Sequence, residues 1–126
     1  MTFVCLGIRG AITVDANTKE AIVDATEELL REMVTVNGIA ETDIAAVFFT
    51  TTKDLNAEFP AVAASVKLGW QKTALMNFQE LDVLDAVPSV IRVLLLANVD
   101  LTKEELAHVY LKGAKNLRSR GFSHQQ

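Results

Sequence analysis

Soft ligands are scarce in this 126-residue chain: one cysteine, Cys5, and two histidines, His108 and His124. A single thiol closes no intrachain disulfide, and two histidines this far apart give no zinc-ligand spacing, so no metal site is expected. Long apolar runs are missing as well. The longest, "VIRVLLLANV" from Val90 to Val99, is too short for a membrane span and carries Arg92. The N-terminus "MTFVCLGIRG" lacks the basic region and apolar stretch of a signal peptide. These absences together imply a cytoplasmic protein with no membrane partner. There is no G-x-S-x-G elbow, no P-loop and no G-x-G-x-x-G, which removes the usual pointers to serine chemistry and nucleotide cofactors. Excess positive charge is absent too. A net charge of −4 gives no long-range attraction to nucleic acid or anionic lipid, so an anionic ligand has to be attracted locally.

What is present is half hydrophobic and 22% charged, a composition of globular proteins, at a length that suits one domain spanning 1–126. The polar end "RSRGFSHQQ" reads as a loose tail over about 119–126. "FVCLGIRGAITV" alternates as a strand, with Val4, Leu6, Ile8, Ile12 and Val14 on one face and Phe3, Cys5, Arg9 and Ala11 on the other. Gly7 and Gly10 flank Arg9 and leave it room. The next segment is a helix, with Asn17 as its expected N-cap, Glu20 three residues on and Gly38 just past its end. Its apolar stripe is Ala21, Ile22, Ala25, Leu29, Met33 and Val36. Further strands are expected at "IAAVFFTTT", "KTALMNF" and "VIRVLLLANV". A short helix between Pro60 and Gly69 interrupts them. A capping box at Thr102 and Glu105 opens a short helix and "HVYL" follows as a short strand, with an all-helical segment as the competing reading. The fold class is therefore α/β (α+β), a mixed β-sheet with helices packed on one face. A small sheet with two apolar faces and few helices leaves one face to be covered by another subunit.

Against this background a few polar residues stand out. In "SVIRVLLLANV" alternation sets Arg92 among Val90, Leu94 and Leu96, so the guanidinium is expected to be partly buried and to need an anion. Arg9 lies inside another strand, Glu80 follows one in "NFQELD", and Tyr110 and Arg118 lie near the C-terminus. Singly each has a plain explanation. A strand arginine is commonly half of a structural ion pair, and a pairing of Glu80 with Arg92 would explain both residues that way. Asp82 and Asp85 read as loop or cap residues, and Cys5 as a small core residue. Taken together, fixed cations, a carboxylate and a phenol suit a reaction that needs orientation and electrostatics without a nucleophile or metal.

"GIRGAITVDANTKEAI", "DLNAEFPA", "GWQ", "QELDV", "IRVLLL" and "HVYLKGAKNLR" follow one another as in the AroH-type chorismate mutases, and the chain resembles that family from residue 3 to about 118. The resemblance implies a homotrimeric pseudo-α/β-barrel with active sites at subunit interfaces. It also implies a cofactor-free Claisen rearrangement of chorismate to prephenate in phenylalanine and tyrosine biosynthesis. It makes Arg92 the cation at the ether oxygen, Arg9 and Tyr110 the holders of a carboxylate, and Glu80 the acceptor for the ring hydroxyl. Phe59, Ala61, Leu75, Met76, Phe78 and Gln79 match the pocket wall; Leu117 and Arg118 match the segment that closes over it. Asn77 stands where some relatives place a cysteine on the ring hydroxyl, a contact its amide can also make. Ser65 and Val62 replace an arginine and a lysine common at the pocket mouth, with Lys67 and Arg118 as the cations available to compensate. The competing reading is a non-catalytic oligomeric module that binds a small dicarboxylate through the same arginines.

Overall fold

The computed structural model describes residues 3–117, and Arg118 with the expected tail lies outside them. Five strands form one mixed sheet: β1 (Val4–Thr13), β2 (Ile44–Thr51), β3 (Ala74–Gln79), β4 (Val90–Val99) and β5 (Val109–Leu111), in the spatial order β3-β2-β4-β1-β5. β4 pairs antiparallel with both β1 and β2, while β3 and β5 add parallel strands at the two edges. Helix α1 (Lys19–Asn37) packs on one face of the sheet. A π-helical turn, Ala63–Lys67, adds Ala63 and Ala64 to the same core. Its wide hydrogen bond runs from the Leu68 N–H to the Ala63 carbonyl.

The core follows from strand alternation. Ile8 and Ile12 of β1, Val47 and Phe49 of β2, and Ile91, Val93 and Leu95 of β4 all point toward α1 and are buried against Ile22, Leu29, Leu30 and Met33. The α1 stripe is broader than the sequence suggested. Val23, Thr26 and Leu30 are buried with it, Thr26 satisfying its hydroxyl on the Ile22 carbonyl at 2.7 Å. Val36 is exposed, because the last turn is given over to Asn37, whose amide grips the backbone of Ala107. Nor is Asn17 the N-cap. Thr18 accepts from the Ala21 N–H, and the Asn17 side chain reaches across to Asn56 and the backbone N–H groups of Asn56 and Ala57. At the other end Gly38 takes the left-handed conformation that stops the helix (φ 63°).

Gly10 has a different role from the one its place beside Arg9 suggested. It faces α1, and a Cβ there would collide with Met33 Sδ and lie 3.2 Å from Leu29 Cδ1. The close approach is helix on strand. Gly7 alone shares the face of Arg9, lying against Leu94. Gly10→Ala is therefore expected to destabilise the fold by about 1–3 kcal/mol through overpacking. In urea unfolding, Gly10→Ala with Met33→Ala should lose less than the sum of the two single changes, since the second removes the obstructing atoms.

Candidate active site

The face of the sheet opposite α1 carries the polar groups, and strand register decides which of them meet. Thr50 lies opposite Phe78 on one side and Arg92 on the other; Ala11 lies opposite both Arg92 and Tyr110. One row thus crosses the whole sheet as Phe78, Thr50, Arg92, Ala11, Tyr110. The neighbouring row runs Met76, Phe48, Leu94, Arg9. A concavity of about 360 Å³ opens over these rows, with Arg9, Thr50, Glu80, Arg92, Leu94 and Tyr110 in its lining.

Glu80 enters from the end of β3, where its N–H donates to the Thr51 carbonyl at 2.8 Å. Its Oε2 accepts from the Thr50 hydroxyl at 2.9 Å and faces Arg92 Nε at 3.2 Å, while Oε1 accepts from the Leu81 N–H at 3.2 Å. The anion beside Arg92 within the chain is thus Glu80. The guanidinium is not buried as its apolar neighbours implied: the Arg92 side chain is 51% exposed. Leu94 is exposed as well, and Phe78 and Met76 with it; of the apolar residues flanking Arg92 on its face, Val90 alone is buried, against Ala11 and Ala114. Arg9 is the more enclosed cation. Its Nε is, among the described residues, the one buried side-chain nitrogen or oxygen without a hydrogen-bond partner.

Several other residues singled out from sequence gather at the far edge of the sheet. Phe59, Asn77, Phe78 and Gln79 line a second concavity, of about 410 Å³, at the β3 edge. Asn77 Oδ1 accepts from the Ala61 N–H at 3.1 Å, which ties the loop carrying Phe59 to β3. Alternation separates Leu75, packed against the α1-side core, from Met76 on the open face. Leu117 packs near Tyr110 against the small cluster of Ala11, Val90 and Ala114. Val62 and Ser65 carry no charge, and Lys67 is exposed on the helical turn. The cation that lines the second concavity is Lys53, paired with Asp82 at 2.9 Å. One lining residue was missed in the sequence: Thr50, which is invisible without the β2–β4 register.

The start of β4, and so the placing of Arg92, depends on Asp54. Its carboxylate accepts from the Thr52 hydroxyl and from the Ser89 N–H at 3.0 Å, where Ser89 takes a left-handed conformation (φ 56°). The Thr52 hydroxyl first and then the Ser89 N–H hold the Asp54 carboxyl below its ordinary value, against the opposing pull of desolvation. A depressed carboxyl stabilises the fold above its unfolded pKa, and that contribution is lost as the pH falls through the folded value. Asp54→Asn should therefore unfold at a lower temperature than the native chain at pH 7. The gap between the two melting temperatures should close as the pH is taken below about 4.

The chain is similar to known proteins in both sequence and fold. The family model for chorismate mutase type I matches residues 5–120. Chorismate mutase AroH of Thermus thermophilus is 48% identical over 113 residues, covering 89% of this chain and 92% of the relative. Chorismate mutase AroH of Bacillus subtilis is 36% identical over 112 residues, covering 89% and 88%. The solved chorismate mutase from Clostridium thermocellum superposes with a TM-score of 0.85 at 48% identity, covering 87% of this chain and 97% of that one. With matches of this extent in sequence and in fold, the chain belongs to the chorismate mutase type I family.

Proposed function

We propose that this chorismate mutase converts chorismate to prephenate at a site completed between copies of the chain, with Arg92, Arg9, Tyr110 and Glu80 as its polar centre. The observation that carries the reading is the row of Thr50, Arg92 and Tyr110 on an uncovered sheet face, beside an Arg9 Nε that lacks an acceptor. The reaction is unimolecular: the ether C–O bond breaks, a C–C bond forms, and no proton moves. Negative charge grows on the ether oxygen as the bond breaks. A guanidinium already fixed there interacts more strongly with the transition state than with the ground state. Arg92 takes that role, Glu80 accepts from the ring hydroxyl, and Arg9 with Tyr110 holds a carboxylate. Anchoring both ends of a flexible dianion in its compact conformer lowers the entropic part of the barrier.

A purely structural role for the Arg92–Glu80 pair is the weaker account. With side chains 51% and 29% exposed, such a pair contributes about 0–1 kcal/mol, too little to explain an arginine on this strand. A non-catalytic dicarboxylate module is disfavoured too, since the relatives are named as enzymes. Arg92→Lys keeps the charge and loses the planar fork. Followed by the disappearance of chorismate, kcat should fall on the order of 10²–10³-fold with the unfolding midpoint nearly unchanged. Near-native turnover in a destabilised protein would reverse the assignment.

The two concavities share no lining residue, and Phe59, Phe78, Met76 and Leu94 are exposed. Packing of one copy's β3 edge onto another's open face brings the two half-sites together and covers these side chains. We assign the assembly as a homotrimer, the number following the family resemblance, and place it in the cytoplasm, where the thiol of Cys5, exposed at the edge of β1's outer face and not in the core as its sequence suggested, stays reduced. Light scattering at micromolar concentration should report three chains per particle. A monomer that turns over chorismate at full rate would rule out the shared site. No helix among the described residues is long and apolar enough to cross a membrane.

A further inference from the structure

The parallel pairing of β1 with β5 begins at Gly10 opposite Val109. One residue earlier, where the ladder would leave the Arg9 N–H without a strand partner, the His108 side chain takes over. The Arg9 backbone N–H donates to His108 Nδ1 at 2.9 Å, across 99 residues of sequence. An imidazole accepts at Nδ1 only in its neutral form, with the proton on Nε2. The segment that presents His108 is itself held. Asn37, at the end of α1, donates to the Ala107 carbonyl at 2.9 Å and accepts from the Ala107 N–H at 2.8 Å, while also donating to the Met33 carbonyl. A hydrogen-bonded path thus runs from the helix on the covered face, through Ala107 and His108, to the main chain of Arg9. Among the described residues, Arg9 and Lys103 share a concavity of about 330 Å³ with Gly7, Leu94, Leu106 and His108. The carboxylate of Glu105 accepts from the Thr102 N–H and hydroxyl.

We propose that His108 is a positioning residue for Arg9: by accepting its backbone N–H, it fixes the peptide plane from which the guanidinium projects toward the substrate carboxylate. The proposal rests on the reading of Arg9 as a carboxylate anchor. An anchor used in both the ground and the transition state affects binding more than turnover, so the effect belongs mainly in KM. It is distinct from a general stabilising role, which would lower the unfolding midpoint and the fraction of active enzyme while leaving KM alone.

Steady-state kinetics with chorismate on four variants tests this. His108→Ala should raise KM about ten-fold with kcat held within about three-fold, the scale of one lost hydrogen bond. His108→Asn, whose Oδ1 lies about where Nδ1 does, should restore KM to within about two-fold of native. Arg9→Ala should raise KM further, and adding His108→Ala to it should change KM no more, because the two act through one side chain. Should His108→Ala fail to fold, His108→Phe fills the space without an acceptor and reads the same quantity. An unchanged KM in the variant without an acceptor, an Asn variant as impaired as Ala, or an undiminished KM increase in the Arg9→Ala background would each overturn the positioning role. A native KM in Arg9→Ala would instead overturn the role of Arg9, and the proposal with it.

Discussion

The site depends first on the register of β4 between β1 and β2. Because β4 is central and pairs on both sides, its alternation decides at once which residues face α1 and which face outward. In the observed register Ile91, Val93, Leu95 and Ala97 are buried and Arg92 and Leu94 are exposed. A slip of one residue would drive Arg92 into the core beneath α1 and turn the isoleucine and valine outward, a cost no nearby carboxylate offsets. The packing of α1 therefore enforces the chemistry on the opposite face. Gly10 takes part in this by letting Met33 and Leu29 approach the strand that carries Arg9.

On that open face the polar groups are held by hydrogen bonds, with little help from burial. Glu80 is fixed by the Thr50 hydroxyl and the Leu81 N–H, the first turn of β4 by Asp54 and Thr52, and the Arg9 backbone by His108. Exposed ion pairs contribute little to stability, so what these bonds supply is geometry. That suits a rearrangement whose catalyst needs only to present fixed charge to a developing anion and to hold one conformer. Neither a nucleophile nor a titrating base has to be poised for it.

Helix α1 was legible from its apolar spacing and from Gly38, and the capping box at Thr102 and Glu105 forms as written. Two of the misreadings come from competition between local and distant partners. Asn17 and Thr18 both have the chemistry of an N-cap; Thr18 takes the position because Asn17 bonds the loop at Asn56. Gly10 looked like space for Arg9 until the helix occupied that space. Arg92 looked half-buried because its neighbours are apolar, yet of these only Val90 is packed away, and Leu94 beside it is exposed.

The sequence by itself determined the alternation of β1 and β4, the helix between β1 and β2, and the identity of the charged residues on strands, since each depends on spacings within ten or twenty residues. It also carried the family resemblance, through motifs spread over nearly the whole chain. Only the tertiary structure decided that Arg92, Thr50 and Tyr110 share a row, that Glu80 meets Arg92, and that Phe59 and Asn77 gather at the other edge of the sheet. Those meetings depend on strand order and register between segments up to a hundred residues apart, set by which faces bury the most apolar surface together, and no local spacing encodes that sum.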